Sequence, residues 1–170
     1  MNIFRSLCLL SSLVFVGAVT FVPNHPGGFK QGAEPDGFRG IRWGTEAKSL
    51  SGLKFVKTDP SYGGIKIYTR ESDELRIGGA TLEGIYYHFW DGKLWAVNAS
   101  TKGVANWQSL REAAIERFGD EYLQGYDYAE DCSWNGSCAR LTLKYDVATQ
   151  TGTMSMSSEK VFLEMRRGGF

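Results

Sequence analysis

Histidine is scarce in this chain, with two in 170 residues, His25 and His88. Catalysis of the Ser-His-acid type needs a base, and only His88 lies in sequence that reads as folded domain. No glycine elbow surrounds any serine, so a triad is excluded. Cysteine is also sparse, with only Cys8, Cys132 and Cys138. One domain histidine and one closely spaced cysteine pair do not make an ordinary zinc set. Charge of either sign is not in excess, at 19 basic against 19 acidic residues with the signs interleaved. That leaves no long-range attraction toward nucleic acid or an anionic membrane. The pairs Gly63-Gly64 and Gly78-Gly79 do not open helices, so they form no phosphate cradle. The acidic groups Glu71, Asp73, Glu74 and Asp127, Glu130, Asp131 lack the spacing of a calcium loop. No metal or cofactor is expected.

Long apolar runs are absent as well. The longest, Leu7 to Val22, has 16 residues, short of the roughly 20 that a spanning helix needs. It follows a start carrying one positive charge, Arg5, and ends near the small residues Gly17 and Ala18. Residues 1–22 therefore read as a secretory signal peptide, with an uncleaved anchor as the alternative, and Cys8 as a passenger. The chain is expected to be exported, periplasmic or secreted, touching a membrane only through an uncleaved leader. Its loss would leave 18 − 19 = −1. Residues 23–36 carry three prolines and three glycines and read as a flexible linker. The domain is expected over 37–167 and a tail over 168–170. In an exported chain Cys132 and Cys138 read as a disulfide clipping the Asn135-Gly136 turn, contributing about 2 kcal/mol.

What the chain does have is aromatic, β-favouring sequence around Asp91-Gly92. This pair tolerates the positive φ angles of a type I′ turn and predicts a tight hairpin. A plain register would put Ile85, Tyr87, Phe89, Leu94 and Ala96 on one face and Tyr86, His88, Trp90, Trp95 and Val97 on the other. Gly37 to Gly44 reads as a short first strand, Thr45 to Leu50 as a brief helix stopped at Gly52, and Leu53 to Lys57 as a second strand. Ile65 to Arg70 alternates as a half-buried strand. From an Asn106 cap, Trp107, Leu110, Ala114, Ile115 and Phe118 build one apolar stripe that Gly119 ends. So short an amphipathic helix needs a sheet to lie on. Tyr122 to Trp134, Ala139 to Val147, Thr153 to Ser157 and Lys160 to Met165 read as further strands, with Thr149 to Gly152 as a turn. The fold class is α+β: one domain, a twisted antiparallel sheet with two helices packed on one face.

The segments Gly37-Phe38-Arg39-Gly40-Ile41-Arg42-Trp43-Gly44-Thr45, Asp59-Pro60-Ser61-Tyr62-Gly63-Gly64 and Ile77-Gly78-Gly79-Ala80 resemble those of small exported bacterial proteins with no assigned activity. The resemblance implies an envelope setting and carries over no catalytic residue.

The functional expectation is a non-enzymatic exported domain that binds a protein, a peptide or a small ligand. Tyr86, His88, Trp90 and Trp95 would form the binding face, because an exposed aromatic patch of that size marks a recognition surface. The competing reading buries them under another part of the domain. A small hydrolase using Glu83, Asp127 or Glu130 is the alternative, which needs two carboxylates facing each other.

Overall fold

The computed structural model describes residues 27–120, 122–124 and 131–168. The leader, His25, Asp127 and Glu130 lie outside them. In chain order the elements are β1 (Gly37–Phe38), β2 (Ile41–Arg42), β3 (Leu53–Asp59), β4 (Ile65–Arg70), β5 (Arg76–Ile77), β6 (Ala80–Thr81), β7 (Gly84–Trp90), β8 (Lys93–Lys102), α1 (Val104–Phe118), β9 (Tyr122–Gln124), β10 (Asp131–Asn135), β11 (Ala139–Asp146), β12 (Thr151–Ser158) and α2 (Glu159–Arg167). Eight strands form one antiparallel sheet in the order β3-β4-β7-β8-β12-β11-β10-β9. The pairs β1-β2 and β5-β6 are separate two-stranded ribbons. The fold is a single α+β unit. The expected first strand, Gly37 to Gly44, is in fact the β1-β2 hairpin, turning through Arg39 and Gly40, both at positive φ.

The central hairpin forms as its turn chemistry demands. Asp91 (φ 46°) and Gly92 (φ 74°) give the paired left-handed conformations of a type I′ turn, and Trp90 faces Lys93 while Phe89 faces Leu94. The register then slips. A bulge lies between His88 and Phe89, so His88 pairs with Ala96 and Tyr87 with Val97, leaving Trp95 as the extra residue. A one-residue slip exchanges the faces of every later side chain. Val97 therefore joins Ile85, Tyr87, Phe89 and Leu94 in the core, while Ala96 crosses to the other face with Tyr86 and His88.

Helix α1 covers the core face through Trp107, Leu110, Ala114 and Phe118, the stripe that the sequence predicts, and Gly119 follows it at φ 92°. The cap differs from expectation: Gly103 occupies that position. Asn106 lies one turn inside, donating to Lys102 O (3.0 Å) and accepting from Thr81 N (3.1 Å). It thereby ties β6 to the helix. The brief helix expected over Thr45 to Leu50 is a 3-10 turn, Ala47–Ser49, and Ala47 and Leu50 pack on the same core.

Lys160 to Met165 is helix, not strand. Ser158 accepts a hydrogen bond from Val161 N (3.2 Å), Glu159 stands in the first turn, and Arg166 and Arg167 stand in the last. That cap and this charge order both favour a helix. α2 touches Lys93 (Nζ to Glu164 Oε2, 3.0 Å), Trp95 (ring against Phe162) and Arg140 (Nε to Glu159 Oε1, 3.3 Å). Lys93 and Arg140 belong to the sheet face opposite α1, so the two helices sandwich the sheet.

Two further expectations change. Residues 27–36 lie against the domain: Phe29 meets Phe118 edge-on, Lys30 N donates to Phe118 O (2.7 Å), and Trp43 Nε1 donates to Pro35 O (2.9 Å). The Glu34 carboxylate accepts from Ala139 N (3.0 Å), from Cys138 N and from Ser137 Oγ (3.3 Å). This carboxylate, not a disulfide, clips the β10-β11 turn. Cys132 and Cys138 are not bridged, because Cys132 faces Leu143 inside the core while Cys138 is exposed at the turn.

Candidate ligand-binding site

Alternation along β7 puts Tyr86, His88 and Trp90 on the face away from α1. Each then meets a different neighbour. Tyr86 stays 37% exposed. Trp90 donates its indole N–H to Tyr62 O (2.8 Å), which fixes the ring over the loop before β4. Trp95 stacks on Phe162 of α2, with centroids 6.3 Å apart. His88 is half-buried between them. Beside it lies an open depression of about 360 Å³, lined by Val56, Lys57, Ile67, Tyr86, His88 and Asn98.

Burial holds the His88 imidazole below its ordinary pKa of 6.5; Asp59 opposes this and Lys57 adds to it. Below pH 6.5 the unfolded chain therefore binds the proton that the folded chain resists. Stability that is present at pH 7 should fall as the pH drops toward 5. Urea midpoints at pH 7 and pH 5 measure this loss, and His88→Gln should reduce it. An unchanged loss in the variant would assign it to another group.

A second concavity, on the opposite side of the sheet, has no counterpart in the sequence reading. It lies between α1 and the two short hairpins and measures about 300 Å³, at the small end of ligand sites. Its floor is core: Leu110 and Phe118 of α1, Met154 and Met156 of β12, and Phe38 of β1. Close backbone approach shapes the mouth. A Cβ on Gly78 would lie 2.5 Å from that of Ala113, so the β5-β6 turn can sit directly on α1 only as glycine. A Cβ on Gly37 would lie 2.1 Å from Ile41 O, which holds the β1-β2 ribbon equally tight.

Three arginines rim this cavity, Arg39, Arg76 and Arg117, and none of its lining residues is acidic. Arg39 occupies the left-handed region at φ 49°, a conformation that costs a non-glycine residue about 1 kcal/mol or more. Its side chain offsets that cost. Nη2 donates to Arg76 O (2.7 Å), Nη1 lies 3.6 Å from Asp73 Oδ1, and the guanidinium rests on the Phe38 ring. Arg39 thus ties the two hairpins together. Arg117 stands in the last turn of α1 against the Phe118 ring, where the helix dipole favours a cation. Arg76 and Arg117 are exposed, and no carboxylate among the described residues pairs with either.

Behind the mouth, Tyr87 is fully buried and Asp73 nearly so. Burial first, and then the Asp73 carboxylate, push the Tyr87 hydroxyl well above the usual phenol range. Tyr87 is a neutral phenol at any physiological pH.

No family model, curated protein or solved structure matches this chain.

Of the carboxylates considered for hydrolysis, Glu83 is exposed and lines neither cavity. Among the described residues no group of three metal-ligating side chains converges, and no helix is long and apolar enough to cross a membrane. The arginine rim is not legible in the sequence, because its members come from a hairpin turn, a two-residue strand and a helix end, separated by up to 78 positions (117 − 39). One local signal pointed to it. Arginine before glycine at a tight turn, in Phe38-Arg39-Gly40-Ile41, fills a left-handed position that glycine or asparagine usually takes.

Proposed function

We propose that this chain is an exported, non-enzymatic binding domain that receives a small apolar group in the cavity under α1. The observation that carries the reading is a concavity of about 300 Å³ whose lining runs from the exposed Arg76 and Arg117 down to the buried core residues Leu110, Met154 and Met156. Protein interiors are ordinarily packed to near-crystalline density, so a concavity of about 300 Å³ that reaches down to core side chains is space kept open. Methionine suits such a wall because its flexible, polarisable thioether adapts to different occupants. The leader composition supports export.

A second reading places the partner on the half of the sheet that α2 leaves open, at the depression beside Tyr86 and His88. What favours it is β3, an edge strand with Phe55 59% and Val56 44% exposed. An apolar edge of this kind can accept an added strand from an extended polypeptide.

One experiment separates the two. With methyl-labelled methionine, NMR signals from Met154 and Met156 should shift on titration with octanol, while Met165, on the buried side of α2, stays fixed. Ala114→Leu fills the cavity and should abolish those shifts without lowering the melting temperature. Tyr86→Ala should leave them intact. Loss of the shifts in Tyr86→Ala but not in Ala114→Leu would move the site to the sheet face. No shift at either methionine would remove the cavity reading.

A further inference from the structure

Resting on the cavity reading, we propose that the occupant is a single-chain amphipathic carboxylate, its tail on the methionine floor and its head between Arg76 and Arg117. Three observations lead there. The floor is wholly apolar, so only an apolar group can displace water from it without leaving polar atoms unpaired. The rim is cationic without any lining acid, so a neutral or cationic head would forgo the field that the site provides. Arg39 is already committed to Arg76 O and Asp73. Two guanidinium groups remain, and their forked N–H geometry matches the two oxygens of a carboxylate.

Size sets the tail. At about 30 Å³ per water-sized group, the cavity of about 300 Å³ holds about ten heavy atoms, which is octanoate.

A charge series on one chain length tests this. Octanoate, octanol and octylamine are titrated separately into the full exported domain at pH 7.5, with the Met154 and Met156 methyl shifts as the readout. Octanoate should bind at least about tenfold more tightly than octanol, the minimum expected for charge-assisted hydrogen bonds, and octylamine more weakly than either. The double variant Arg76→Gln, Arg117→Gln should bring octanoate down to the affinity of octanol while leaving octanol unchanged. That second outcome shows that the fold and the floor survive the substitutions. Equal binding of all three probes would overturn the carboxylate assignment and leave the cavity reading standing. Tighter binding of octyl phosphate than of octanoate would also overturn it. Absence of shifts with every probe would instead bring down the cavity reading on which it rests.

Discussion

Replacing Trp134 with alanine is expected to cost about 3–5 kcal/mol of folding stability. The indole is completely buried, lies against the Phe118 ring at 6.4 Å, and donates to Gly119 O at 2.8 Å. Three contributions combine at one place. The substitution leaves a void where β10 meets the end of α1, removes an aromatic contact, and strands a carbonyl at the helix C-terminus that has lost its donor. A domain of this size is stable by about 5–15 kcal/mol in total, so the variant should lose about a fifth of that or more. Urea unfolding followed by tryptophan fluorescence and circular dichroism measures the change at constant slope. Trp134→Phe keeps most of the volume and loses only the donor, so it should cost about 1–3 kcal/mol. A loss below 1 kcal/mol in the alanine variant would mean that the β9-β10 end of the sheet is not coupled to the core.

Gly152→Ala is the second large effect, in the opposite sense of packing. A Cβ there would lie 2.5 Å from Thr101 Oγ1 and 2.8 Å from the Trp107 ring. Neither neighbour can withdraw cheaply. Thr101 and Trp107 are fully buried, and the Trp107 ring also stacks on Tyr145 with centroids 5.8 Å apart. Overpacking a filled core costs about 1–3 kcal/mol, and here it acts where α1 meets β8 and β12. Combined with Trp107→Phe, which gives back space, Gly152→Ala should cost less than the sum of the two separate losses. Strict additivity in that double-mutant cycle would show that the Cβ meets something other than the indole.

Gly152 also illustrates how far local rules carry. Within Thr149-Gln150-Thr151-Gly152 the residue types read as a turn, and a turn is present, with Gln150 at φ 53°. Gly152 itself is strand, pairing with Thr101 and Tyr145. It is glycine because an indole lies over it, which no window of sequence reports.

The same division runs through the rest of the fold. The Asp91-Gly92 turn, the Ile65–Arg70 strand and the α1 stripe are legible because their causes are local: turn dihedrals, two-residue alternation and the helical repeat. The short α2 was hidden by its length, though Ser158 followed by Glu159 and ending in Arg166-Arg167 carries cap and dipole signals in nine residues. Glycine and proline in 27–36 suggested a free tether. What they serve is a strap whose Phe29, Lys30 and Glu34 meet partners about 90 to 105 positions away. Likewise, cysteine spacing suggested a bridge, but strand alternation aims Cys132 inward and leaves Cys138 at the turn. Of the aromatic four, Tyr86, His88 and Trp90 do share a face, as alternation requires. The coverage of Trp95 by Phe162 depends on a helix contributed from 67 residues further on (162 − 95).

By itself, then, the order of residues determined an antiparallel α+β domain, its central reversal at Asp91-Gly92 and the apolar side of α1, since each follows from forces acting within one turn or one pair of strands. Tertiary structure alone decided the bulge at Trp95, the second helix on the far face, and the meeting of Arg39, Arg76 and Arg117 above an apolar hollow. Those depend on which distant surfaces come into contact, and contact across the chain is a property of the packed whole.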